Sequence, residues 1–245
     1  MEIRAGGPGQ DPASVAVTMR TPGNDFELAT GFLFTEGLLH ARDEVASVAY
    51  CELPSEEQQY NVVTVRLSRE FDPGSLQRNF YATSSCGVCG KASLDQVKVE
   101  CAGVLPGPIV SRSVIAGLPR SLREAQRIFE ETGGLHAAGL FETDGTLVEA
   151  REDVGRHNAV DKLVGWAFLR GDLPLPERSL MVSGRVSFEI VQKAAMAGIP
   201  IVCAVSAPSS LAVEAADELG MTVLGFVRDS GFNVYTHPER VDLRA

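Results

Sequence analysis

The sequence is short of basic residues, of cysteine and of long apolar runs, and each shortage excludes a class of protein. Lys and Arg number 22 against 32 Asp and Glu, so the net charge of −10 argues against a general nucleic-acid-binding surface. No apolar run is long enough to span a membrane. Five cysteines, without a leader-like segment at the amino terminus, argue against a secreted disulfide framework. We therefore expect a cytoplasmic protein without nucleic-acid or membrane partners.

Nucleotide-binding fingerprints are also missing, since neither G-x-G-x-x-G nor G-x-x-x-x-G-K-[ST] occurs. What is present is ordinary globular composition, with 245 residues of which 44% are hydrophobic and 22% charged. This length corresponds to one large or two small domains. Disordered, collagen-like and coiled-coil architectures are therefore excluded.

Two structured units joined by a loop are predicted. Residues 1–82 read as a small α+β domain, with strand patterns around a helix that begins after Asn24, a plausible N-cap. Residues 83–95 are small, polar and glycine-rich, which predicts a mobile loop that carries two cysteines. Residues 96–245 form the larger α/β unit.

The larger unit has clear signals for helices, a hairpin and a parallel sheet. Ser121 and Glu124 fit a capping box that would begin a helix after Pro119. Asp144-Gly145 is a hairpin signal. Three apolar strands alternate with helix patterns, at residues 179–182, 199–205 and 222–227. Such alternation predicts crossover connections and a mostly parallel sheet covered by helices.

The sharpest local motif is the cysteine pair Cys86 and Cys89, with Lys91 close by. Two thiols at this spacing can hold a metal, form a disulfide or pass sulfur between them, and Lys91 favours the reactive thiolate. A structural zinc site would need two further ligands, and no second C-x-x-C exists. A thioredoxin-like pair or an unreactive turn stays open. The other cysteines read as packing residues, namely Cys51, Cys101 and Cys203.

Polar loops follow the three predicted apolar strands. These are Ser183-Gly184-Arg185, Ser206–Ser210 and Arg228–Gly231. The carboxyl ends of parallel strands share one sheet edge, where ligands bind, and the first two loops lead into helix N-termini that attract anions. Arg185 and Arg228 could each bind phosphate. The loops predict a pocket for a phosphorylated ligand, although such residues are also common in turns and caps.

A third cluster, Glu152–Asn158, precedes an amphipathic helix pattern. Asp153 or Asn158 could cap that helix, but capping does not explain the adjacent Arg156 and His157. His157 could act as an acid–base group or as a donor to a ligand. The other histidines lack such neighbours in sequence and are expected to be structural or surface residues, namely His40, His136 and His237.

Six segments, in this order along the chain, resemble those of the formate dehydrogenase accessory sulfurtransferase (FdhD) family: Thr18–Pro22, Glu27–Glu36, Ser84–Gly90, Glu152–Leu163, Ser183–Arg185 and Phe226–Tyr235. The likeness covers essentially the whole chain. It implies a larger domain with a cytidine deaminase-like fold, and a homodimer. The deaminase signature H-x-E…P-C-x-x-C is absent, because Ser85 and not proline precedes Cys86 and no His-x-Glu stands before the cysteine pair, so we expect neither deamination nor a metal site.

The resemblance also implies a function, that of a sulfur carrier. Cys86 would carry persulfide sulfur from a cysteine desulfurase, with Cys89 as an assisting thiol, to the molybdenum cofactor bis(molybdopterin guanine dinucleotide) of formate dehydrogenase. GDP would mimic that cofactor. The expected cofactor-binding residues are Phe226, Val227, Arg228, Asp229, Ser230 and Gly231, together with Ser183, Gly184, Arg185, Arg156 and His157. A cofactor chaperone without sulfur chemistry and a thiol-disulfide oxidoreductase are the alternatives.

Overall fold

The computed structural model describes residues 1–51, 60–72, 104 and 106–244. The amino-terminal part is a four-stranded sheet beside one helix. Its strands are β1 (Glu2–Gly6), β2 (Ala13–Val17), β3 (Val45–Tyr50) and β4 (Val62–Leu67), in the order β2-β1-β4-β3. Helix α1 spans Asp25–Thr35. Asn24 precedes it as predicted, but it adopts a left-handed conformation and its side chain makes no capping hydrogen bond.

A six-stranded sheet forms the centre of the larger part. Its strands are β6 (His136–Phe141), β7 (Leu147–Asp153), β8 (Ser179–Val182), β9 (Ile201–Ala204), β10 (Thr222–Arg228) and β11 (Gly231–Thr236), in the order β11-β10-β9-β8-β6-β7. Two short strands, β5 (Val110–Ser111) and β12 (Val241–Asp242), pair in parallel beside it.

The prediction of a mostly parallel sheet is wrong for this sheet as a whole. The three apolar strands β8, β9 and β10 are parallel neighbours, as predicted. The other three pairings of the sheet are antiparallel. For β6–β7 and β10–β11 the reason lies in the connections, because the turns at Asp144-Gly145 and Asp229-Ser230 are too short to return a strand in parallel.

Among the described residues of the larger part, five helices accompany the six-stranded sheet: α2 (Arg112–Ala125), α3 (Arg127–Thr132), α4 (Arg156–Arg170), α5 (Phe188–Met196) and α6 (Ser210–Glu218). The predicted capping box at Ser121 is wrong, because α2 begins at Ser111, whose hydroxyl accepts from the backbone N–H of Val114 at 3.3 Å. Helix α2 continues through Pro119, since Leu118 and Leu122 on either side are buried against the sheet. Burial of that face outweighs the lost backbone bond.

The amino-terminal part and the six-stranded sheet share one hydrophobic core, which includes Ile3, Leu33, Val164 and Val202. Helices α1 and α4 pack closely within it, at Gly31 and Gly165. The predicted domain boundary at residue 82 and the predicted loop at residues 83–95 lie outside the described residues, and the domain division stays a prediction. No helix in the described part of the chain is both long and apolar enough to span a membrane.

Candidate functional site

The three strand-end loops lie side by side at one edge of the six-stranded sheet. The backbone N–H of Val186, after β8, donates to the carbonyl of Ala207, after β9, at 3.3 Å. The N–H of Phe226, near the end of β10, donates to the carbonyl of Ser206 at 3.2 Å. These bonds confirm that the loops meet at the carboxyl edge, the position at which such sheets bind ligands.

The structure brings the Glu152–Asn158 cluster to the same edge. Helix α4 begins at Arg156, and the side chain of Arg156 reaches the loop after β8. A Cβ placed on Gly184 would lie 3.6 Å from Cδ of Arg156. Nε2 of His157 and Oγ of Ser187, the residue before α5, are 2.9 Å apart. Two separate sequence predictions, the loop after β8 and the Arg156-His157 pair, are therefore parts of one site.

His136, which the sequence interpretation left out of the candidate site, lies at the same edge. It begins β6, which pairs antiparallel with β8, so it lies opposite the end of β8. Its Nδ1 would be 3.3 Å from a Cβ on Gly184, on which Arg156 also packs. The two strands also bond through the Ser183 hydroxyl, which accepts from the Ala137 N–H at 2.8 Å. Only the strand pairing could have revealed His136, because no chemical neighbour stands beside it in sequence.

Both histidines at this edge have a lowered pKa. Burial lowers the pKa of His157 to about 4, assisted by the positive charges of Arg156 and Lys193 and opposed by Glu189. Burial and the charge of Arg156 also lower the pKa of His136. Both imidazoles are therefore mainly neutral at pH 7, and each can donate one hydrogen bond.

Asp153 and Asn158 of the cluster are structural, and neither is the N-cap of α4, which is Gly155. Asp153 is fully buried, and its Oδ2 lies 2.7 Å from Nζ of Lys162. Asn158 donates to the carbonyl of Met19 at 2.7 Å. These side chains fix the start of α4 against the amino-terminal part, and they leave Arg156 and His157 for other contacts.

The carboxy-terminal loop is exposed at Arg228, Asp229 and Ser230, while Val227 is buried. Phe226 is 42% exposed and has a φ of 54°, an unusual backbone for a phenylalanine. Oδ1 of Asp229 accepts from Arg120 of α2 at 2.6 Å, an exposed ion pair that contributes little to stability. The loop therefore lies beside α2, and Gly231, with φ of 147°, begins the returning strand.

A cleft of about 490 Å³ opens between this edge and helices α2 and α3. Its lining includes Leu122, Gln126, Phe129, His136, Ser183 and Val205. Its volume lies within the usual range of small-molecule sites, about 300–1,000 Å³, and its wall is mainly apolar with a few polar groups. Sequence reasoning did not indicate the cleft, because α2 was expected to start ten residues later.

The structure describes two of the five cysteines, Cys51 and Cys203. Cys86 and Cys89, the predicted catalytic pair, and Cys101 lie outside the described residues. Cys203 is fully buried in β9, and burial raises the pKa of its thiol to about 12, which confirms its predicted role as a packing residue. Cys51 is half-buried just after β3.

The fold and the loops at the carboxyl edge of the larger sheet together define a mixed α/β protein with a candidate ligand site at that edge. The model of the FdhD/NarQ family matches residues 10–242, and the chain belongs to this family. The predicted family resemblance is confirmed.

Curated relatives cover nearly the whole chain. The sulfur carrier protein FdhD of Mycolicibacterium paratuberculosis is 52% identical over 247 residues, which is 98% of this chain and 89% of that protein. The sulfur carrier protein FdhD of Sulfurisphaera tokodaii is 48% identical over 233 residues, 94% of this chain and 86% of that protein. A crystal structure described as a formate dehydrogenase accessory protein from Desulfotalea psychrophila has a TM-score of 0.73 at 23% identity, covering 99% of this chain and 89% of the other. It shows a shared fold.

Proposed function

We propose that this protein is a cytoplasmic sulfur carrier that takes sulfur from a cysteine desulfurase. It delivers the sulfur to the molybdenum cofactor, bis(molybdopterin guanine dinucleotide), before that cofactor enters formate dehydrogenase. The observation that carries the proposal is 52% identity over 98% of the chain to a protein called sulfur carrier protein FdhD. The Cys86–Cys89 pair supplies thiols for such a role.

The chemical step of the proposal is a transfer between thiols. The thiolate of Cys86 attacks the outer sulfur of the persulfide on the desulfurase. A new S–S bond forms on Cys86, the donor's S–S bond breaks, and the donor cysteine leaves as a thiolate. No external oxidant or reductant is needed for this step. Cys89 assists in the delivery: its thiolate attacks Sγ of Cys86, the Cys86–Cys89 disulfide forms, the bond from Cys86 to its terminal sulfur breaks, and that sulfur leaves as hydrosulfide for the cofactor.

The cofactor is held at the sheet edge in this proposal, away from its molybdenum. Phosphates of the dinucleotide bind Arg228 and the loop Ser183–Arg185, and the guanine binds within Phe226–Gly231. Exposed Arg185 and Arg228 make no ion pair within the described residues, which leaves them available for an anionic ligand. Binding remote parts of a large substrate fixes the position of its reactive centre. The homodimer and the cytidine deaminase-like fold of residues 96–245 belong to this proposal.

Cys86→Ala is expected to abolish sulfur loading, because it removes the thiolate that accepts the sulfur. The protein is incubated with a cysteine desulfurase and cysteine, and its intact mass is measured. Wild type should gain the mass of a sulfur atom on Cys86, and Cys86→Ala should gain none. Cys51→Ala is the control and should load like wild type. Cys89→Ala measures how far the second thiol is needed.

The same experiment separates the alternatives. A chain that binds GDP but gains no sulfur would be a cofactor chaperone. Reduction of insulin disulfides by wild type, lost when either cysteine of the pair is replaced, would identify a thiol-disulfide oxidoreductase. Either result contradicts the sulfur-carrier proposal.

Arg228→Ala is expected to weaken GDP binding about tenfold, since a charge-assisted hydrogen bond contributes about 1.5–3 kcal/mol and this site is exposed. Calorimetric titration with GDP measures the change. Arg170→Ala is the matched control, because Arg170 is an exposed arginine at the end of α4 that pairs with Asp172. Equal affinities of wild type and Arg228→Ala would remove Arg228 from the site.

A further inference from the structure

Helix α2 and the start of α3 present a row of exposed arginines on an acidic chain. Residues 112–127 contain four arginines and a single acidic residue, Glu124, whereas the whole chain has a net charge of −10. At about 100° per residue, the three arginines that belong to α2 lie within an arc of about 80°, so they project from one side of the helix. We call all four the arginine face, and each of them is exposed: Arg112, Arg120, Arg123 and Arg127.

The stability of the helices does not explain the arginine face. Arg112 is the first residue of α2 and Arg127 is the first residue of α3, where the helix dipole favours acidic side chains over cations. The first turn of α2 contains no acidic residue. Arg120 and Arg123 are neighbours one turn apart, and like charges at this spacing repel each other. Since these positions cost helix stability, an interaction outside the chain is the physical reason that fits them.

The chain itself neutralises little of the charge on the arginine face. Arg120 pairs with Asp229 at 2.6 Å, and both side chains of this pair are exposed. Arg123 lies over the ring of Phe129, 3.9 Å from the ring centroid, a contact that leaves its charge in place. The arginines at the two helix starts form no ion pair with any described residue. Two full positive charges therefore remain available to a partner.

Exposed aliphatic side chains border the arginine face at both ends. Ile109, directly before β5, is 67% exposed, and Leu243, directly after β12, is 62% exposed. These two residues flank the short parallel sheet from which α2 starts. At the other end, Ile128 follows Arg127 and is 40% exposed. Protein–protein interfaces combine arginine with apolar contact area, so this surface suits a protein better than a free anion.

The arginine face also borders the sheet edge at which the proposed function holds the cofactor. Arg120 contacts Asp229 in the loop after β10, and Arg123 forms part of the wall of the cleft beside that edge. A protein that receives a cofactor from this edge must approach it closely. Because the chain is acidic overall, an acidic partner is repelled by most of the chain and attracted here.

We infer that the arginine face docks an acidic surface of the protein that receives the cofactor, formate dehydrogenase before its cofactor is inserted. The inference rests on the proposed function, which names that recipient. It goes beyond the proposed function by assigning the docking surface and the charge of the partner. Arg112 and Arg127 steer the association, and Ile109, Ile128 and Leu243 supply apolar contact.

The test is binding of the full chain to formate dehydrogenase purified without its cofactor, measured by surface plasmon resonance at low and at high salt. The double variant Arg112→Glu with Arg127→Glu should lower the affinity about tenfold or more at low salt, mainly through the association rate, because repulsion replaces attraction. The neutral double variant Arg112→Gln with Arg127→Gln should lose less. High salt should reduce the difference between both variants and wild type. The matched control is Arg170→Glu, an exposed arginine at the end of α4 outside the arginine face, which should bind like wild type.

The outcomes distinguish this inference from the proposed function, because sulfur loading of Cys86 in wild type tests the proposed function separately. If the glutamate double variant binds the recipient as tightly as wild type at low salt, or if wild type does not bind it, the inference is overturned while the sulfur carrier stands. A changed oligomeric state of the variant in light scattering, with unchanged binding of the recipient, would identify a second copy of the chain as the occupant and also overturn it. Loss of sulfur loading alone would identify the sulfur donor instead. Should the glutamate variant unfold, the glutamine variant carries the test, and its affinity at low salt must still fall below that of wild type.

Discussion

Replacing Gly31 with alanine is expected to destabilise the protein by about 3 kcal/mol or more, at the upper end of the range for overpacked cores. Gly31 lies where α1 crosses α4, and a Cβ there would be 1.9 Å from the backbone carbonyl oxygen of Asp161. A backbone oxygen cannot rotate away as a side chain can, so the helices must separate. Gly165 faces the same contact from α4, with a Cβ position 1.9 Å from the carbonyl oxygen of Glu27.

The separation would also disturb a buried ionic network. Nζ of Lys193 in α5 lies 2.9 Å from Oδ1 of Asp161 and 3.1 Å from Oε1 of Glu36. The hydroxyl of Thr35 donates to Asp161 at 2.7 Å. Moving α1 away from α4 would lengthen the bonds that Thr35 and Glu36, at the end of α1, make with this network, and loss of a partner from a buried ion pair is strongly destabilising.

Urea unfolding measures the effect, and Gly117→Ala is its matched control. Gly117 lies within α2, and a Cβ there meets nothing within 4 Å. Alanine at Gly117 should stabilise the protein by about 0.5–1 kcal/mol, because it favours the helix without a clash. A stability of Gly31→Ala equal to wild type would show that the two helices can part at little cost.

Asp153→Ala is expected to lower the free energy of unfolding by about 3–5 kcal/mol, since it leaves the charge of Lys162 buried without its partner. Lys162 and Asp153 have side-chain exposures of 1% and 0%, with Nζ and Oδ2 2.7 Å apart. The carboxylate also accepts from the backbone N–H groups of Thr21 and Gly155 at 3.0 and 2.9 Å. All of these groups lose a partner in the variant.

The exposed pair of Arg170 and Asp172 supplies the control for Asp153. These side chains are 58% and 42% exposed, so Asp172→Ala should change stability by less than about 1 kcal/mol. The double variant Asp153→Ala with Lys162→Met should recover part of the loss, because no unpaired charge remains buried. Thermal or urea unfolding compares all three. A double variant less stable than Asp153→Ala would contradict the argument from an unpaired charge.

Local signals predicted most elements of the fold. The hairpin at Asp144-Gly145 and the strands β8, β9 and β10 follow from turn residues and apolar runs, and the structure confirms them. The start of α2 could not be predicted in this way. Helix propensity places a boundary at Pro119, whereas burial of Leu118 and Leu122 carries the helix through it. The antiparallel half of the sheet depends on pairings between distant segments, which local patterns do not encode.

The candidate site, like the fold, was predictable where local sequence patterns decide the structure and not where contacts between distant segments do. The strand-end loops were predicted to meet because parallel strands share an edge, and their backbone bonds confirm it. The Glu152–Asn158 cluster was predicted as a unit, but Asp153 is buried beneath the site while Arg156 and His157 lie at the edge. The sequence shows that these residues are adjacent along the chain. It does not show which of their side chains point into the core and which point towards the sheet edge. His136 entered the site only through strand pairing.

The crossing of α1 and α4 joins two of the segments that resemble the family, although they lie far apart in the sequence. Glu27–Glu36 and Glu152–Leu163 face each other there, and Arg151 beside them bonds Glu27 at 2.6 Å. They are two halves of a single contact and not two independent signatures. During evolution the two segments should therefore vary together, because a larger residue on one helix is tolerated only when a smaller residue or a backbone shift on the other makes room for it. Natural variation at Gly31 should therefore be accompanied by variation near Asp161.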